Sequence, residues 1–240
     1  MKKLVLAAVA AVALAGCGGD DTAGNLTVEG NVRGLKKGVL YLQQVADTSL
    51  VTLDSVVVKG NGEFRLTSPV DGADIFYLYL DKADNNQLND RIVFFAEPGT
   101  IRIDTEWDAF ESEAAISGSA ANEKFAEYRK IQSRYHVQQL ELARAMGELQ
   151  QPQDSAALDS LDRVGQRLTL RSYLYALNFA LNNTDSHLAP FVAITEVSDA
   201  NPKYLDSIYQ ALSPAVAESK YGKQLKELLS EQRSQAENPD

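Results

Sequence analysis

The sequence is poor in the residues from which most reactive sites are built. One cysteine and two histidines in 240 residues exclude a Cys-X-X-Cys redox pair and a zinc site of four cysteine and histidine ligands. Bases are scarce as well. Twenty-three Lys and Arg against 33 Asp and Glu give a net charge of −10. That balance argues against a nucleic-acid or anionic-membrane surface, because both need clustered cations to displace counterions. There is no Gly-X-Ser-X-Gly nucleophile elbow and no glycine-rich phosphate loop ending in Lys-Ser or Lys-Thr, so hydrolases and nucleotidases lose their usual support. What remains is 45% hydrophobic and 23% charged, a composition that folds instead of staying disordered.

Long apolar runs are missing too. Lys2 and Lys3 precede an apolar stretch from Leu4 to Leu14, far shorter than the roughly 20 residues needed to span a bilayer as a helix. The stretch closes on Leu14-Ala15-Gly16-Cys17, which resembles the lipobox of bacterial lipoprotein signal peptides. That resemblance implies a signal peptide over residues 1–16, diacylglycerol on the Cys17 sulfur and a place in the cell envelope, on the outer membrane, with the periplasmic or surface face left open. Each buried acyl CH₂ contributes about 0.8 kcal/mol and stable anchoring takes two or more chains, so a triacyl anchor is effectively permanent. Cleavage before Cys17 removes two lysines and leaves a net charge of −12. Residues 17–25 then read as a flexible tether, whose Asp20 and Asp21 resemble a Bacteroidota surface-export signal and equally suit a solvated spacer.

The remainder divides into a strand-rich half, 26–117, and a helix-rich half, 118–233, followed by a polar tail, 234–240, expected to fray. Short β-rich runs broken by Gly, Asn, Asp and Pro predict strands near 26–32, 39–45, 50–58, 63–68, 75–81, 91–96 and 100–104. Asn61-Gly62 predicts a type I′ hairpin between the third and fourth. Val39 to Gln44 shows no clean polar face, which predicts a second strand covered on both sides, one cover being the helical half. From Phe125 through Tyr128, Ile131, Tyr135, Leu142, Met146 and Leu149 the spacing turns helical, predicting a helix over 120–149. A second follows from Asp154 or Ser155 to Asn182-Asn183, antiparallel to the first, and then three shorter ones after Ser186, Asn201-Pro202 and Ser213-Pro214. The fold class expected is α+β: an antiparallel β-sandwich or barrel-like domain with an all-helical region packed on it.

Candidate chemistry is sparse. His136 and His187 each lack a second ligand at metal spacing. The 81–90 loop offers Asp81, Asp84 and Asp90, but Ala83 and Asn86 stand where a calcium loop needs an oxygen ligand and glycine, so it reads as solvated with calcium as the alternative. The acidic run Asp104, Glu106, Asp108, Glu111, Glu113 reads as a wet connector, with Trp107 expected to pack at the sandwich end and exposure for a sugar or peptide as the alternative. Asp-Ser or Asp-Thr pairs at Thr22, Ser55, Ser155, Ser160 and Ser207 resemble a Bacteroidota O-glycosylation signal; Thr22, on the tether, is the reachable one. No catalytic, cofactor or metal residue is expected.

Val28-Glu29-Gly30, Val39-Leu40-Tyr41-Leu42, Asn61-Gly62-Glu63-Phe64, the segment Phe94 to Ile101 and the join Ile116 to Ser119 together resemble domain-of-unknown-function family 4369. That domain forms the N-terminal half of many Bacteroidota thioredoxin-like lipoproteins, in which a segment like Ser219-Lys220-Tyr221-Gly222 stands just before the thioredoxin fold. This chain reaches Asp240 without a Cys-X-X-Cys, so disulfide reductase or peroxidase activity is not carried over. The resemblance implies a non-enzymatic, lipid-anchored module that binds a partner protein or peptide, a thioredoxin-fold envelope protein among the candidates. The alternative is a small-ligand or glycan binder with Trp107, Tyr77 and Tyr79 as stacking platforms. A carboxylate-only enzyme such as a glycosidase stands third.

Overall fold

The computed structural model describes residues 24–46, 49–82, 90–149 and 155–237. Among these residues eight strands come first: β1 (Leu26–Arg33), β2 (Lys37–Ala46), β3 (Ser49–Lys59), β4 (Glu63–Ser68), β5 (Asp74–Asp81), β6 (Asp90–Ala96), β7 (Gly99–Glu106) and β8 (Ala115–Ser117). Six helices follow: α1 (Ala120–Glu148), α2 (Ser155–Asn182), α3 (Leu188–Glu196), α4 (Pro202–Ala211), α5 (Pro214–Ala217) and α6 (Lys220–Glu237). The α+β class is as expected, and the strands form two four-stranded sheets, not a closed barrel. β8, three residues long, carries too little alternation to be read from sequence.

The first sheet runs β4-β1-β7-β8 and the second β3-β2-β5-β6. Strict alternation builds the core between them: Leu26, Val28 and Val32 from β1, Leu40 and Leu42 from β2, Phe76 and Leu78 from β5, Phe94 from β6, all with no exposed surface. One pairing departs from the antiparallel expectation. β1 and β7 run parallel, with Leu26 opposite Gly99 and Arg33 opposite Glu106.

The expected hairpin at Asn61-Gly62 is not one. β3 pairs with β2 and β4 pairs with β1, so the turn carries the chain from one sheet to the other. Its main-chain bonds run outward: Gly60 N–H donates to Lys36 O at 3.1 Å, and Gly62 O accepts from Val32 N–H at 2.9 Å. Gly62 has φ +79°, and a Cβ there would lie 2.1 Å from Val32 O. β2 also differs from expectation, because its outward row of Val39, Tyr41 and Gln43 is half-buried by neighbouring side chains while the helices reach the second sheet mainly through α1 on β6.

Ser119 caps α1, its side chain accepting from Asn122 N–H at 3.0 Å. Asn201 does the same for α4 through Lys203 N–H at 3.0 Å. α1 and α2 are antiparallel, since Ser172 bonds Gln132 and Gly165 packs on Leu142. Asp154 and Pro152 lie outside the described residues. The run after Ser213-Pro214 divides into α5 and α6, and the stretch from Ser234 to Glu237, expected to fray, is helical. Gln232 donating to Ser198 O at 2.8 Å and Arg233 paired with Asp206 at 2.6 Å hold that end against the α3–α4 region.

Replacing Gly62 by alanine combines a positive φ with a backbone clash, so it is expected to cost about 3 kcal/mol, against about 1 kcal/mol for Gly60→Ala, since Gly60 has φ +98° but open space around it. Urea unfolding of the two variants measures the difference, and equal costs would show that the Val32 contact is relaxed away.

Candidate functional site

Two surfaces bring polar and aromatic side chains together, and β5 serves both. Register sets the first. Tyr41 of β2 stands opposite Tyr79 of β5, and Tyr79 and Tyr77 stand opposite Arg91 and Val93 of β6. With a period of two, all these side chains lie on the outward face of the second sheet. The Tyr41 and Tyr79 rings stack with centroids 5.8 Å apart, and the Arg91 guanidinium lies over Tyr79 at 5.3 Å and Tyr77 at 5.8 Å. Arg91 Nε and Gln43 Oε1 are buried without a hydrogen-bond partner among the described residues. Around this ladder Val45, Leu50 and Val57 are 41%, 41% and 57% exposed.

Of the three predicted stacking residues the structure therefore brings Tyr77 and Tyr79 onto one ladder. Trp107 follows β7 of the other sheet and, against the packing expected of it, keeps one side open to solvent. It is 43% exposed, rests against Gly34 and has the Lys82 ammonium 5.5 Å from its ring centroid. Cys17 and Thr22 lie outside the described residues.

The second surface is the seam between the halves. Phe95, Phe125, Phe191 and Tyr221 pack ring on ring, with Phe191 and Tyr221 5.1 Å apart edge to face. Beside them Asp74, its side chain 8% exposed, is saturated with donors. Oδ1 accepts from Ile75 N–H at 2.7 Å and from the Tyr221 hydroxyl; Oδ2 accepts from Gln44 Nε2 at 2.6 Å and Lys220 Nζ at 2.5 Å. Burial, then the bond to Asp74, pushes the Tyr221 hydroxyl well above the usual tyrosine value.

Sequence reasoning missed Asp74, which sits just before the predicted strand at Ile75. It did single out Ser219-Lys220-Tyr221-Gly222, and each residue there has a task. Ser219 Oγ accepts from Gly222 N–H at 3.2 Å at the start of α6, while Lys220 and Tyr221 hold Asp74. At Gly222 a Cβ would meet Val216 O at 2.2 Å, so only glycine lets α5 approach.

Elsewhere several of the acids are paired with bases. Asp104 takes Arg102 at 2.7 Å, Glu106 takes Arg33 at 2.6 Å, and Asp90 of the predicted loop pairs with Lys82 at 2.5 Å. Asp84 and Asn86 lie outside the described residues, among which no three His, Cys, Asp or Glu converge as a metal set. His136 is exposed on α1 beside a groove that Tyr128, Gln132 and Ser172 also line. There Ser172 donates to Gln132 and Gln132 to the Tyr128 hydroxyl, at 2.8 and 2.7 Å. His187 is half-buried at the start of α3.

A two-sheet sandwich with a helical cap docked on its β6 side is thus the class of protein these elements define. Its strand-rich half matches a family model described as Domain of unknown function (DUF4369), over residues 26–125. The match runs past β8 to Phe125, so it takes in the first turns of α1, whose Asn122 and Phe125 dock on β6. The quoted motifs from Val28 to Ser119 fall inside it, and Ser219 to Gly222 fall outside. No curated protein matches the chain.

Two predictions follow from the seam. Asp74→Ala, which strips four donors of their acceptor, is expected to destabilise the protein by about 3 kcal/mol, read as a urea midpoint shift. The raised Tyr221 keeps its proton in the folded chain after the unfolded chain loses it near 10. Its stabilisation is therefore complete below that pH and falls away above it. Tyr221→Phe should be less stable than wild type at pH 8 by about 1–2 kcal/mol and show a shallower alkaline decline. A parallel decline in both proteins would rule out this source.

Proposed function

We propose that the chain is a lipid-anchored envelope protein that works as a non-catalytic interaction module, presenting the outward face of the second sheet to a partner protein. The observation that carries the reading is the ladder of Tyr41, Tyr77, Tyr79 and Arg91 with exposed Val45, Leu50 and Val57 around it. Tyrosine and arginine beside aliphatic surface is the composition of protein interface cores, where rigid rings give contact area at small entropic cost. The Leu14 to Cys17 sequence supports the anchor. A thioredoxin-fold envelope protein is the partner that the family resemblance favours.

The glycan reading has weaker support. Sugars stack on open aromatic faces, whereas Arg91 lies over Tyr77 and Tyr79, and Lys82 over Trp107.

The test uses the full chain expressed in its envelope with an alkyne palmitate analogue. The wild type should take the label and partition into the Triton X-114 phase, and Cys17→Ser should do neither. Photo-crosslinking from position 57 on the sheet face should capture a protein, and the double variant Tyr79→Ser with Arg91→Glu should lose about tenfold or more of that capture, as expected of central interface residues, while keeping its label. An unlabelled wild type sinks the anchor; capture unchanged in the double variant sinks the interface.

A further inference from the structure

The second sheet ends at β6, whose outer edge is only partly satisfied. Phe95 N–H points off the sheet and donates to Asn122 Oδ1 of α1 at 3.0 Å. In an antiparallel strand the main-chain groups two residues away point the same way, so those of Val93 face the same edge. They have no partner among the described residues. Asn122 is 5% exposed, and its Nδ2 likewise has no acceptor among them.

Both line a recess of about 500 Å³ at the open side of the sandwich, between β6 and β8. Phe125 and Ala126 of α1 form one wall, Ala114 and Ile116 the other. Arg129 and Glu111, 3.9 Å apart, bridge the two walls at the rim.

The geometry points to a docking groove for one extended peptide strand with apolar side chains, which continues the second sheet by pairing with the main chain of Val93. Unspent N–H and C=O groups on a strand edge select another main chain, the commonest means of strand addition. The groove extends an interface the protein already makes, because Asn122 occupies the strand position beside Phe95. Alternate side chains of the guest would fall between Ala114 and Ile116 on one side and against Phe125 and Ala126 on the other. The groove adjoins the tyrosine face, whose row Val93 shares, but it uses the main chain of Val93 and not the rings, so neither reading requires the other.

The probe is the peptide acetyl-Thr-Val-Thr-Val-Thr-Val-amide, offered to the full chain in dodecyl maltoside and compared with a fully N-methylated version. Amide hydrogen exchange of Val93, read by NMR, should slow by about tenfold or more with the first peptide, as a new main-chain hydrogen bond requires, and stay unchanged with the second. Val93→Pro removes the donor at an edge position that tolerates proline, and Ala126→Trp fills the groove from an exposed helix position. Each should weaken binding by about tenfold or more, the loss expected of about 1.4 kcal/mol. If Val93→Pro does not fold, Ala126→Trp decides. Exchange at Val93 unaffected by the peptide, equal binding of the N-methylated version, or binding by Ala126→Trp at wild-type strength overturns the proposal. Protection of Val93 that exists without peptide and vanishes on dilution also overturns it, in favour of a second copy at the edge.

Discussion

Asp74 brings a carboxylate to the seam between a sheet and a helix, where it is almost closed off from water, and a buried acid left alone there would be costly. Four donors drawn from β2, β5 and α6 remove that cost. The rings around it supply cohesion of similar size. Each buried aromatic contributes about 2 kcal/mol, so Phe95, Phe125 and Tyr221, with half-buried Phe191, together match the polar network, whose net bonds contribute about 1–3 kcal/mol each. Apolar packing tolerates small slides, however, and directional bonds do not. The rings hold the halves together and the carboxylate fixes the angle at which they meet.

This division of labour matters for the surface nearby. β5 starts with Asp74 and carries Tyr77 and Tyr79 three and five residues later. The strand that α6 clamps is thus the strand that displays the tyrosine ladder, and its orientation relative to the helices is set within one element. Arg91 adds a second restraint, since its guanidinium covers two rings and leaves few rotamers open to them. A face held this firmly loses little freedom on contact with a partner.

Much of the fold was legible because it rests on local rules. Period-two alternation found seven strands to within about two residues at each end, and helical spacing with Asn201-Pro202 found α4 and its cap. What failed was pairing between distant segments. Asn61-Gly62 signals a reversal but not which sheet each arm joins, and the parallel partner of Leu26 lies at Gly99, beyond the reach of any local pattern. The site was less legible still. Tyr77 and Tyr79 follow from alternation, yet Arg91 over them requires the β5–β6 register. Asp74 reads as an ordinary turn acid until Lys220 and Tyr221, almost 150 residues on, are placed against it.

The parallel β1–β7 pair also sets an order of events for a chain made from its N-terminus. β1 lies inside the first sheet between β4 and β7, so one flank stays open until Glu106 has been synthesised. Closing that gap joins residues more than 70 positions apart, a late and slow step in assembly. Until then the nascent half has no completed sandwich to lock, and the apolar inner faces of its finished strands wait uncovered.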